Sequence, residues 1–149
     1  MRKLTAQEKQ RFELLTKHRV SFTLIQPTQT GLKKSIMDAT GPVRSFFLRE
    51  ELHDYDNQKQ GPDNKVIIDC QIYLEEKVIN SQTSLYRPLT KRGDPRIWFY
   101  KLTTYTNPDD LIAIVNYKNC LRIINITRID IQTLLKTDRV NPILSLIHI

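Results

Sequence analysis

The chain has 149 residues, 40% hydrophobic and 26% charged, the makeup of one globular domain with a modest core. Its 23 Lys and Arg outnumber 16 Asp and Glu, and the formal net charge of +7 favours a polyanionic partner, either nucleic acid or an anionic surface. No apolar run of about 18 residues exists to span a bilayer, the first ten residues lack the apolar stretch of a secretory signal, and 4 glycines form no phosphate-cradling loop.

Thr5 to about His18 reads as a helix, because Thr5 and Glu8 have capping-box spacing and Phe12, Leu14 and Leu15 give a narrow apolar stripe. Val20 to Ile25 is a short strand closed by Gln26-Pro27. Thr28 to Gly31 reads as a loop, and Leu32 to Ala39 fits neither the helical nor the strand period. A second helix is predicted from Pro42, with Thr40 as its cap and Val43, Phe46, Phe47, Leu48 and Leu52 on its buried face. His53 to Asn64 is a long polar loop.

From Lys65 onward the period becomes that of strands. Val66 to Leu74 and Val78 to Tyr86 flank a turn at Glu75-Glu76-Lys77. Arg96 to Tyr100, Leu111 to Tyr117 and Cys120 to Ile126 follow, the last two joined by a tight turn at Lys118-Asn119. Pro108-Asp109-Asp110 reads as an ordinary turn, and Asp130 to Lys136 as a short helix. Helices early and hairpins later predict an α+β, mostly β fold, its largely antiparallel sheet curled into an open barrel.

Cys70 and Cys120 lie in apolar strand segments, without Cys-x-x-Cys spacing or a nearby histidine, and read as buried free thiols of a cytoplasmic protein. Asp69 with Glu75 and Lys77 has the composition of a nuclease metal triad. The carboxylates of such a triad must converge on one ion, however, and here two of the three residues fall in a hairpin turn. Arg92-Gly93-Asp94 spells an adhesion tripeptide, but Gly93 and Pro95 better suit a shaped loop. His18 and His53 are isolated. No catalytic or metal-ligating residue is assigned, and a small metal-dependent nuclease built on Asp69, Glu75 and Lys77 remains an alternative.

Two basic segments carry the stronger signal. One runs from Thr30 to Ser35 with Lys33 and Lys34, and the other from Thr90 to Arg96 with Lys91, Arg92, Asp94 and Arg96. An arginine fork fits guanine O6 and N7, a carboxylate accepts from cytosine N4, and a pair of loops fits the major groove. Tyr86, Trp98, Phe99 and Tyr100 offer a further alternative, stacking single-stranded bases, although the face holding Trp98 and Tyr100 is expected to be buried.

Three stretches, Thr30 to Gly41, Gln60 to Val66, and Leu85-Tyr86-Arg87-Pro88 through Gly93-Asp94-Pro95-Arg96-Ile97-Trp98, resemble the N-terminal DNA-binding effector domain of EcoRII-type restriction endonucleases. The version joined to an MvaI/BcnI-type catalytic domain is the most similar. The resemblance spans about Val20 to Arg128. It implies an open pseudobarrel of about seven strands with two or three short helices, shared with plant auxin-response-type domains, and two arms gripping the major groove of double-stranded DNA. Lys33, Lys34 and Asp38 would belong to the first arm, and Lys91, Arg92, Asp94 and Arg96 to the second. That family has a glutamate-lysine-arginine run where this chain has Asp94-Pro95-Arg96.

The same resemblance implies a bacterial, cytoplasmic protein in which DNA held by this domain stimulates a Mg2+-dependent nuclease domain, with no cofactor in the effector domain itself. Residues 1–19 are expected to form a helical extension and residues 20–143 the pseudobarrel. Leu144 to Ile149 reads as an adapter-derived tail, with the natural chain continuing beyond about Ile143.

Overall fold

A computed structural model describes residues 2–130. Apart from Asp130, the helix predicted over Asp130 to Lys136 falls outside the described residues, as does the tail from Leu144. Three helices, α1 (Ala6–Lys17), α2 (Gln29–Lys34) and α3 (Gly41–Arg49), accompany seven strands. These are β1 (Ser21–Ile25), β2 (Ile36–Asp38), β3 (Val66–Tyr73), β4 (Val78–Tyr86), β5 (Arg96–Phe99), β6 (Ile112–Tyr117) and β7 (Cys120–Asn125). They form one sheet in the order β1-β6-β7-β3-β4-β5-β2, antiparallel except where β3 runs parallel to β7, and it curls into an open half-barrel. No helix among the described residues is long and apolar enough to cross a membrane.

The inner face of the sheet closes on Val43, Phe46 and Phe47 of α3, Leu32 of α2, Tyr55 and Leu102, all at most 5% exposed. Apolar residues at 43, 46 and 47 follow the helical period. Leu48 lies about 100° further round from Phe47 and is 55% exposed, contrary to its predicted place on the buried face. A second core forms on the outer face of β1, β6 and β7, where Leu15 of α1 packs with Tyr73, Ala113, Val115 and Ile124. The amino-terminal helix therefore covers half the outer face of the sheet. Among the described residues, the outer face of β4, β5 and β2 has no such cover.

The capping box of α1 forms as read. Glu8 N donates to Thr5 Oγ1 at 3.2 Å, and Thr5 N donates to Glu8 Oε1 at 2.9 Å. Lys118 and Asn119 both take positive φ, 52° and 58°, the left-handed turn that joins right-twisted strands. Four further expectations change. Thr28 to Gly31 is not a loop, because Thr28 Oγ1 accepts from Gly31 N at 3.0 Å and starts α2, whose Leu32 is drawn into the core. The segment without a period ends in β2, a three-residue strand too short to show alternation. Cys70 is buried and its thiol is pushed up to about 12 by desolvation, whereas Cys120 is only half-buried. Asp110 is no ordinary turn residue. It is buried, and its carboxylate accepts from Asn107 N, Asn125 Nδ2 and Arg128 Nε at 2.8–2.9 Å, tying the 107–110 turn to the end of β7.

Candidate nucleic-acid interface

Strand parity fixes which residues of the second basic segment face outward. Ile97 and Phe99 of β5 are fully buried, so Arg96 and Trp98 project from the uncovered outer face. Register then builds two rows across that face. Asp38, Arg96 and Tyr86 are opposite one another on β2, β5 and β4, and Ile36, Trp98, Ser84 and Ile67 form the row beside them on β2, β5, β4 and β3. Trp98 is half-buried and Tyr100 is 45% exposed, with ring centroids 6.1 Å apart edge to face. The expectation that this face is buried inside the barrel is thus overturned, because α3 fills the inner side and leaves the aromatics outside.

Arg96 Nη1 donates to Asp38 Oδ1 in an ion pair across the β2–β5 ladder. The arginine is 15% exposed and the aspartate 70%. The carboxylate engages one of five guanidinium donors, which ties Arg96 to β2 and leaves the rest of the fork unused by it. Tyr55, read only as part of a polar loop, is buried and donates its hydroxyl to Arg96 O at 2.9 Å. Burial pushes the Tyr55 phenol well above its usual range, so it stays a donor.

The loop before β5 is tightly held. Lys91, Arg92 and Gly93 take three successive left-handed conformations, with φ of 50°, 58° and 69°. For the two non-glycine residues this is strained backbone, and strain persists only where neighbours impose it. Arg87 imposes it, donating Nε to Gly93 O at 2.8 Å and Nη1 to Gln58 O at 3.1 Å. Gln58 in turn donates to Leu85 O and Asn64 O at 2.8 and 2.9 Å. Sequence reasoning gave Arg87 and Gln58 no part; the signal was a tyrosine and glutamines inside a loop otherwise made of turn residues.

The two basic segments meet. Lys34, Asp38, Lys91 and Arg96 line one open cleft of about 410 Å3 between α2 and the 88–91 segment. Lys33, Arg92 and Asp94 are exposed near it but do not line it. No family model, curated protein or solved structure matches this chain.

The residues of the alternative nuclease triad do not come together. Asp69 lies within β3 and accepts from Gln82 Nε2 at 3.1 Å, while Glu75 and Lys77 sit in the turn beyond Tyr73. Four residues of strand between Asp69 and Tyr73 alone span about 13 Å. Among the described residues, no group of three or more His, Cys, Asp or Glu is placed to hold a metal ion.

Proposed function

We propose that this domain binds double-stranded DNA sequence-specifically, as the effector module of a type II restriction endonuclease. The observation that carries the reading is the cleft in which a cation from α2, Lys34, faces Lys91 and the oriented Arg96. Lysines at its rim suit phosphates, which position a duplex without reading it. An arginine fixed by a carboxylate suits a base edge, since its remaining donors are presented in one plane. The +7 net charge supplies long-range attraction. The resemblance to EcoRII-type effector domains adds the setting, in which duplex bound here stimulates a separate nuclease site.

Selection from a randomised duplex pool followed by titration tests the assignment. Arg96→Ala is expected to weaken the selected site by about 1–3 kcal/mol and relax preference at one base pair. Lys34→Ala is expected to weaken every duplex alike. Equal losses on selected and random duplex for both variants would refute the division of roles. A second reading, binding of single strands, is favoured by the Trp98–Tyr100 pair on the outer face, half-buried and 45% exposed respectively. A single strand that outcompetes the selected duplex would establish it.

A further inference from the structure

A second depression, of about 530 Å3, opens on the outer face of β3, β4 and β5 beside the cationic cleft. Trp98, Tyr86, Ile67 and Leu89 give it apolar walls, and Lys65 stands at its margin. Ile67 and Leu89 are 58% and 73% exposed, unusual for large aliphatic side chains clustered together. Ser84 also lines it, at 8% exposure, and its hydroxyl has no hydrogen-bond partner among the described residues. Two other lining donors are engaged: Thr83 Oγ1 donates to Trp98 O and Gln82 Nε2 to Asp69 Oδ1. The groove therefore combines an aromatic wall, aliphatic sides and, among its lining, one buried hydroxyl without a partner, that of Ser84.

We propose that this groove takes one nucleobase, extruded from the duplex held in the adjoining cleft, stacked on Trp98 and hydrogen-bonded along one edge by Ser84. The inference rests on the duplex-binding reading. A base is the occupant because groove and cleft adjoin, with Tyr86, Pro88 and Thr90 in the lining of both, so a nucleotide whose phosphate the cations hold has its base within reach of the groove. The volume falls in the range of small-molecule sites and accommodates a base with its sugar. Stacking on an aromatic ring with one edge hydrogen bond is how extruded bases are read, and Lys65 is available to the displaced phosphate. An extended peptide would need several backbone partners that this lining does not offer.

Trp98 is the only tryptophan in the chain, so its emission reports the groove directly. The whole chain is titrated with the selected duplex and with copies carrying an abasic site at each position in turn. The expected result is quenching of the emission by the intact duplex, and binding without quenching for an abasic site at one position only. A mismatch at that position removes the unpairing penalty and is expected to tighten binding about tenfold. Ser84→Ala is expected to keep the quench and lose about three- to tenfold in base preference there. Duplex binding that leaves the emission unchanged, or a quench that no abasic position relieves, overturns the base slot and leaves the cleft intact. Failure to bind any duplex overturns both.

Discussion

Glu8 shows how a single side chain can serve three elements at once. It is fully buried, accepts both Nη groups of Arg2 at 2.7 and 2.6 Å, closes the cap of α1 and accepts from Thr127 Oγ1 at 2.5 Å. Arg2 above all holds its carboxyl down, to about 2, with Thr127 and Thr5 adding to the effect against desolvation. A carboxyl depressed on folding contributes stability above its unfolded pKa of 4.5, and that contribution is lost as pH falls toward the folded value of about 2. The difference corresponds to roughly 3 kcal/mol. Urea denaturation across pH should show Glu8→Gln less stable at neutrality by an amount of that order, and flatter than the parent between pH 4.5 and 2. Parallel profiles would show that the buried carboxylate is not the acid-sensitive group. Arg96 illustrates the complementary case, a charge left near the surface with its direction set by Asp38.

Among elements, α2 and β2 decide whether the first cationic segment exists as a fixed object. The helix has six residues, too short to persist without packing. It is held by the Thr28 cap, by Leu32 in the core and by Ser35, which reverses the chain at φ 57° so that β2 can pair with β5. Gly31 permits this closeness, because a Cβ there would fall against Ile36 O and 2.9 Å from Thr28 Oγ1. Gly31→Ala should therefore destabilise the fold by about 1–3 kcal/mol. It should also weaken duplex binding beyond the loss caused by Lys34→Ala, measured by melting and by titration. A melting temperature unchanged from the parent would mean that the turn can open at no cost. The strained 91–93 loop is the counterpart on the other side of the cleft, fixed by Arg87 together with its own turn bonds, Gly93 N to Thr90 O at 2.9 Å and Asp94 N to Lys91 O at 3.2 Å.

For the whole molecule, charge and shape act over different distances. The net +7 sets attraction over about a Debye length, while the cleft sets which cations end at phosphates. If Lys33, Lys34, Lys91 and Arg92 each neutralise one phosphate, log K should fall against log salt with a slope of about −3.6. A slope near zero would remove the duplex from consideration. Much of this architecture was legible in the chain. Thr5 and Glu8 marked α1, alternation marked the β3–β4 hairpin, and Lys118-Asn119 marked the turn into β7, because caps, turns and periods are written in neighbouring residues. The three-residue β2 was not legible, since it exists only as a partner of β5. Nor was the exposure of Trp98, because alternation separates two faces without saying which one α3 will cover. By itself, then, the sequence determined the α+β class, the basic balance and most element boundaries, all of which depend on local chemistry. Only the tertiary structure decided that Lys34, Asp38, Lys91 and Arg96 share one cleft, that Arg87 braces its wall and that Ser84 opens onto a groove. Those neighbours are separated along the chain, and the curl of the sheet brings them together.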